Sequence, residues 1–226
     1  MITVFLPCRA GSVRVPKKNT KFFAEPNRSL LSNKIDQLVE TKLINYIVVS
    51  TNDQEVVKIA KQKKSTKIIF DDRPDYLASS STSTDDLVGY VTEIINEGHI
   101  LWTHVTSPFV TSEMYTEMIE VYLTSVKEGV NDSLMTVTPL NTFLCNSKGE
   151  PVNYDRSKEK WPRTQTIDPL FEINSAAFIA HRNVYLKYND RIGESPFLFK
   201  MDKIDSFDVD WKEDFEIAEL MFKIKR

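Results

Sequence analysis

Two short stretches of this 226-residue chain hold side chains whose types and spacing could do chemistry. The first follows an opening apolar run and reads Cys8-Arg9-Ala10-Gly11-Ser12-Val13-Arg14-Val15-Pro16-Lys17-Lys18-Asn19. With Lys21 it carries five cations and no acid, in a chain of net charge −3. Cations, backbone N–H groups around Gly11 and the Ser12 hydroxyl, set at the carboxyl end of a strand, suit a triphosphate. A solvated basic loop would have the same composition, and the spacing of a Walker P-loop is absent. The second stretch is Ser206-Phe207-Asp208-Val209-Asp210-Trp211-Lys212-Glu213-Asp214-Phe215. In extended chain Asp208 and Asp210 point to one face and can share a hard cation such as Mg²⁺. Their apolar neighbours place the pair partly inside, where bare carboxylates are costly. The plainer reading of the same residues is a helix cap at Asp210, with Glu213 completing a capping box. Both readings can hold together.

The elements that must position these stretches follow from hydrophobic periodicity. Apolar runs at 2–7, 46–50, 68–70, 100–105 and 133–138 read as strands. Helical spacing runs between them from Ser29 to Lys42, from an Asn52/Glu55 capping box through Ala60, over Leu87–Ile95 and over Tyr115–Tyr122. Strands alternating with helices predict an α/β fold with a mainly parallel, Rossmann-like sheet flanked by helices. Ligands of such sheets sit in the loops beyond the carboxyl ends of the strands, here after Pro7, Ser50, Phe70 and Val105. Residues 140–170 break the rhythm with a turn at Asn146-Ser147-Lys148-Gly149 and a polar stretch, and read as a lid or dimer arm. Strand signals return at 171–180 and 197–200, with a short helix between and a last helix over 211–223.

Composition sets limits. The first apolar run is too short for a secretory signal, and nothing approaches the roughly 20 apolar residues of a membrane span. Two cysteines without a Cys-x-x-Cys exclude a disulfide scaffold or zinc ribbon. The expectation is a cytoplasmic catalytic domain that binds neither membrane nor nucleic acid. The lysines at 58, 61, 63, 64 and 67 read as a solvated helix face. His99 and His181 receive no role, and Trp102 and Trp161 read as packing residues.

Taken in order, the motifs resemble the acylneuraminate cytidylyltransferases, the CMP-sialic acid synthetase family. That family opens with A-R-x-x-S-K-x-x-P-x-K-N, matched here by Arg9, Ser12, Pro16, Lys18 and Asn19. Its S-T-D appears as Ser50-Thr51-Asn52-Asp53, and its R-P-x-x-L-A-x as Arg73-Pro74-Asp75-Tyr76-Leu77-Ala78-Ser79. Thr106-Ser107-Pro108, Pro162-Arg163-Thr164-Gln165, Asn174-Ser175-Ala176 and Asp208-Val209-Asp210 with Asp214 complete the series. Each motif alone is weak; together and in order they are specific.

The resemblance implies a single domain: a nucleotide-binding core over 1–139, the 140–170 excursion, and a return to the sheet with the metal site and last helix over 171–226. It implies transfer of CMP from CTP to the anomeric hydroxyl of a sialic-acid-like 2-keto sugar acid, with Mg²⁺ and release of pyrophosphate, in a homodimer. Arg9, Lys18, Asp208 and Asp210 would be catalytic, the two aspartates as metal ligands. Arg9, Gly11, Ser12 and Asn19 would hold the nucleotide, with Arg73, Ser83 and Thr84 near cytosine and ribose. His104, Arg163, Gln165, Phe171 and Asn174 would face the sugar acid. Departures fall on the acceptor side: Val13 for lysine, with Arg14 beside it, His104 for glutamine, Val110 for arginine, Glu172 for a basic residue and Ser175 for glycine. Two alternatives remain beside this reading: a GT-A-type glycosyltransferase, which also uses an Asp-x-Asp, and a silent nucleotide-binding module.

Overall fold

A run of five apolar or β-branched residues after Met1 has only one stable place, the middle of a sheet covered on both faces. That is where the computed structural model, which describes residues 1–224, puts it. Strand β1 (Ile2–Pro7) is followed by a small ribbon, β2 (Phe22–Phe23) and β3 (Glu25–Ser29), then α1 (Leu30–Glu40), β4 (Tyr46–Thr51), α2 (Gln54–Gln62) and β5 (Ile68–Asp72). Next come α3 (Thr84–Ile94), β6 (His99–Trp102), α4 (Ser112–Lys127), β7 (Ser133–Leu140), β8 (Leu170–His181), α5 (Arg182–Tyr188), β9 (Pro196–Lys200) and α6 (Lys212–Ile224).

Seven strands form one sheet in the order β5-β4-β1-β6-β8-β7-β9. Every neighbouring pair is parallel except those of β8, which runs against both β6 and β7. The mainly parallel α/β sheet expected from the sequence is therefore present. Its strand order reverses at β1, which has β4 on one side and β6 on the other. The loops after β1 and β6 consequently diverge at their carboxyl ends and open a crevice there.

Alternation along β1 divides the core. Val4 and Leu6 face a layer with Ile35 of α1, Val56 of α2, Tyr115 of α4 and Phe215 of α6. Phe5 faces Val88 and Val91 of α3, Trp102, Phe178 and Tyr185 of α5.

One local expectation needs correction. The cap of α2 is Asp53, whose Oδ1 accepts the Glu55 N–H at 2.9 Å; Asn52 turns away to the basic loop. The β2–β3 ribbon carries no alternating pattern in the sequence. It exists because Phe23 packs edge-on against Phe215 and Phe222 of α6, while the Ala24 N–H donates to Glu219. The excursion contains the expected turn, with the Asn146 N–H donating to the Glu150 carbonyl at 2.9 Å. Buried Asn153 organises the rest, accepting the Leu144 N–H and donating to the Thr142 carbonyl.

Candidate active site

The basic loop leaves β1 with its backbone tied down. The Cys8 N–H donates to the Ser50 carbonyl, and burial pushes the Cys8 thiol up to about 12, so no thiolate nucleophile forms there. Gly11 turns the loop at φ +73°, a conformation that favours glycine. Asn52 holds the turn by accepting the Ala10 N–H at 2.9 Å. Arg9 Nη1 donates to the Ala10 and Gly11 carbonyls, and Asn19 Nδ2 donates to the Arg9 carbonyl.

The structure sorts the five cations. Lys17 pairs with Glu55 at 3.4 Å, and Lys21 lies 3.7 Å over the Phe215 ring. Arg14 and Lys18 reach across the crevice to Asp210, at 3.1 Å and 3.7 Å. Arg14 thus enters the site, while Val13 beside it is 76% exposed.

Val209 is the hinge of the acidic stretch. It is fully buried, its N–H donates to the Thr106 carbonyl at 2.8 Å, and its own carbonyl accepts Lys18 Nζ at 2.9 Å. Pinned through both its N–H and its carbonyl, Val209 fixes the segment that carries the two aspartates. Asp208 Oδ1 is buried and has no hydrogen-bond partner. Burial raises its carboxyl above the usual range and the Asp210 charge adds to this, against a Thr106 hydrogen bond and the Lys18 charge. Lys18 is itself lowered by burial, with Asp210 opposing.

An orphaned carboxylate oxygen beside a second carboxylate is the donor set of a hard cation. Among the described residues no group of three or more His, Cys, Asp or Glu gathers to hold a metal. Mg²⁺ is commonly held by one or two carboxylates, with phosphate oxygens and water completing its octahedron, so the pair fits. The capping at α6 belongs to Asp214, whose Oδ2 accepts the N–H groups of Asp210 and Trp211 at 3.1 Å and 2.7 Å. Glu213 is not the partner, and the Asp210 carboxylate is left to the cations.

Two cavities flank this stretch. One, of about 190 Å³, is lined by Arg9, Ser12, Arg14, Lys18, Asn19 and His104. The other, of about 420 Å³, is lined by Thr138, Glu172, Asn174, Lys203, Ser206 and Asp208. The cations that pair with Asp210 face the first, and Asp208 faces the second.

The remaining expected site residues divide. His104 borders the first cavity, but both ring nitrogens are committed: Nε2 accepts from Trp102 Nε1 at 3.0 Å and Nδ1 donates to the Ser175 carbonyl at 3.1 Å. Burial lowers it to about 4, so it is neutral and structural, with no ring nitrogen left for a sugar. Asn174 lines the second cavity and fixes an irregularity in β8, donating to Thr138 Oγ1 and accepting the Ala176 N–H. Arg73, expected near base and ribose, is buried with its guanidinium on Ser50 Oγ and the Ser50 carbonyl. Ser83 caps α3 through the Asp86 N–H, and Thr84 opens that helix; both are exposed and line neither cavity. Arg163 and Gln165 are exposed on the excursion, away from both cavities. Phe171 pairs with Pro139 and carries Lys200 over its ring. Val110, where the resemblance leads one to look for arginine, is a fully buried core residue.

Sequence reasoning missed Lys34. It is fully buried, and its ammonium donates to the Ser107 carbonyl at 2.8 Å and to Tyr115 Oη at 2.7 Å, tying α1 to the Thr-Ser-Pro loop. Burial lowers it to about 7, with the Asp208 charge opposing. The signal was there: a lysine among Leu30, Leu31, Ile35 and Leu38, on the stripe that α1 must bury.

Residues 3–221 match the family model described as Cytidylyltransferase. The chain belongs to the cytidylyltransferase family. An N-acylneuraminate cytidylyltransferase of Streptococcus agalactiae serotype III is 26% identical over 93% of this chain and 50% of its own length. The chain thus spans about half the length of the first curated relatives it matches. A CMP-N,N'-diacetyllegionaminic acid synthase of Legionella pneumophila is 23% identical over 100% of this chain and 97% of its own. Among solved structures, a CMP:2-keto-3-deoxy-manno-octonic acid synthetase complexed with CTP superposes with a TM-score of 0.69 at 14% identity, covering 100% of this chain and 99% of that one, a likeness of fold. The family match does not favour the glycosyltransferase alternative.

Proposed function

We propose that this cytidylyltransferase-family chain transfers CMP from CTP to the anomeric hydroxyl of a sialic-acid-like 2-keto sugar acid. One observation carries the reading. A buried carboxylate oxygen without a partner, Asp208 Oδ1, belongs to the lining of the larger cavity, while Asp210, two residues on, pairs with cations of the other. The triphosphate belongs with Arg9, Ser12, Arg14, Lys18 and Asn19, and the acceptor on the far side of the acidic pair. The anomeric oxygen forms a bond to the α-phosphorus, the bond from that phosphorus to the bridging oxygen breaks, and pyrophosphate leaves with the electron pair. The hydroxyl proton passes to water.

Charge grows on the leaving pyrophosphate, so fixed cations at Lys18 and Arg14 stabilise the transition state more than the ground state. Mg²⁺, held by Asp208 and Asp210, would neutralise phosphate charge and polarise the α-phosphate. Lys18 also has a positioning role, because its bond to the Val209 carbonyl holds the acidic stretch against the basic loop.

Residues 140–170 are proposed as the dimer arm, supported by the Phe143, Tyr154 and Trp161 cluster, in which Trp161 is 68% exposed. A reaction that consumes CTP belongs in the compartment that supplies it, the cytoplasm. Pyrophosphate release is the test, with each nucleoside triphosphate, Mg²⁺ and a panel of acids: N-acetylneuraminic, legionaminic, pseudaminic and 3-deoxy-manno-octulosonic. Release with CTP and one acid is the expected result. No release with any acid refutes the reading, and a strictly monomeric species in sedimentation refutes the arm.

A further inference from the structure

The cavity on the Asp208 side has a charge pattern of its own. Its lining is mostly neutral: Thr138, Leu140, Ile173, Asn174, Ser175, Ser206 and Phe207. Beside Asp208, only Glu172 and Lys203 bring charge to it. Glu172 stands opposite Thr138 in the β7–β8 ladder, and Asn174 reaches the same Thr138 through its side chain. Lys203 comes from the other wall, the loop between β9 and α6. Both are exposed, and among the described residues neither forms an ion pair, although they line the same cavity.

Three of the neutral polar side chains of this cavity, Thr138, Asn174 and Ser206, are already occupied. Thr138 Oγ1 donates to Ser206 Oγ and accepts from Asn174 Nδ2, and Ser206 Oγ donates to the Asp202 carbonyl. They form a fixed floor, and with Asp208 assigned to the metal the charged recognition chemistry rests with Lys203 and Glu172 on separate walls, beside the Ser175 hydroxyl. Resting on the cytidylyltransferase reading, which puts an anionic sugar acid here, we infer that the cavity selects its acceptor as a zwitterion. Lys203 binds the acceptor carboxylate, and Glu172 accepts from a cationic amino or amidino substituent elsewhere on the same sugar. An N-acylated acid presents only one weak donor at that place, and leaves the Glu172 charge without a counter-charge.

Steady-state pyrophosphate release at saturating CTP and Mg²⁺ tests this with matched 2-keto sugar acids that differ only in one nitrogen, free amine against N-acetyl. The wild-type protein is expected to prefer the free amine in kcat/KM by about tenfold or more, the worth of one charge-assisted hydrogen bond. Glu172→Gln should bring that ratio close to one. Lys203→Met should raise KM for both acids about tenfold while leaving KM for CTP unchanged, which also shows that the variant is folded. Turnover of CTP by the wild type, with an acceptor KM indifferent to Lys203→Met or with the N-acetyl acid preferred, overturns this inference alone. A wild type that releases no pyrophosphate from CTP with any acid overturns the parent reading as well.

Discussion

Replacing Asp208 by asparagine should separate function from stability in opposite directions. The side chain keeps its shape but loses its charge. Asp208 is largely buried with Oδ1 unpartnered, so the ligand-free protein carries the desolvation of an ionised group that nothing offsets fully. Removing that charge, and its repulsion with Asp210, should stabilise the ligand-free protein by about 1 kcal/mol, or about 2–4 °C in Tm for a domain of this size. Turnover should go the other way. Loss of a metal ligand forfeits several kcal/mol of transition-state stabilisation, hence ~10³-fold or more in kcat. The assay pairs pyrophosphate release with thermal melts, each with and without CTP and Mg²⁺. The wild type should gain Tm from Mg²⁺ and CTP by mass action, and the variant should gain much less. Near-normal turnover in Asp208→Asn would remove the acidic pair from the metal site. A Tm lowered by several degrees would show that the charge is satisfied within the protein and is not waiting for a cation.

Three further outcomes follow from the same geometry. Lys18→Met removes a cation from the crevice and the bond to the Val209 carbonyl, and should lower kcat/KM for CTP about 10²-fold in steady-state kinetics; a change under threefold would refute its role. Arg73→Met should cost about 3 kcal/mol in urea unfolding with KM for CTP within about threefold, because the guanidinium serves a buried network of Ser50, Asp71 and Tyr90; a stable variant with weakened CTP binding would restore Arg73 to the nucleotide site. His104 titrates at about 4 in the fold against 6.5 when free. The unfolded chain binds the extra proton between those values, so the His104 contribution is fully present above about pH 6.5 and lost as pH falls toward 4. That loss is about 3 kcal/mol, and urea midpoints measured across this range should flatten in His104→Gln; an unchanged slope would refute the assignment.

The α/β alternation was legible in the local residue pattern. Short apolar runs and helical spacing are local signals, and a chain that alternates them has few ways to bury both faces of a sheet. So were the two chemical stretches, since a basic loop without an acid and an Asp-x-Asp among apolar residues are legible as residue types. The partition within them was not legible. Which of five cations reach Asp210, and which settle on Glu55 or the Phe215 ring, depends on where α2 and α6 dock against the loop. His104 and Arg73 look in sequence like groups waiting for a ligand. Tertiary packing gives both of them protein partners, because a polar group drawn into the interior must be satisfied there. Lys34 shows the converse. Its place on an apolar stripe was visible, but its acceptors on the Thr-Ser-Pro loop and Tyr115 lie 73 and 81 residues away in the chain. Only the crossing of α1 over that loop brings them together. Asp208 and Glu172 are likewise set around one cavity by the meeting of the stretch after β9 with the β7–β8 ladder, a long-range pairing with no local trace.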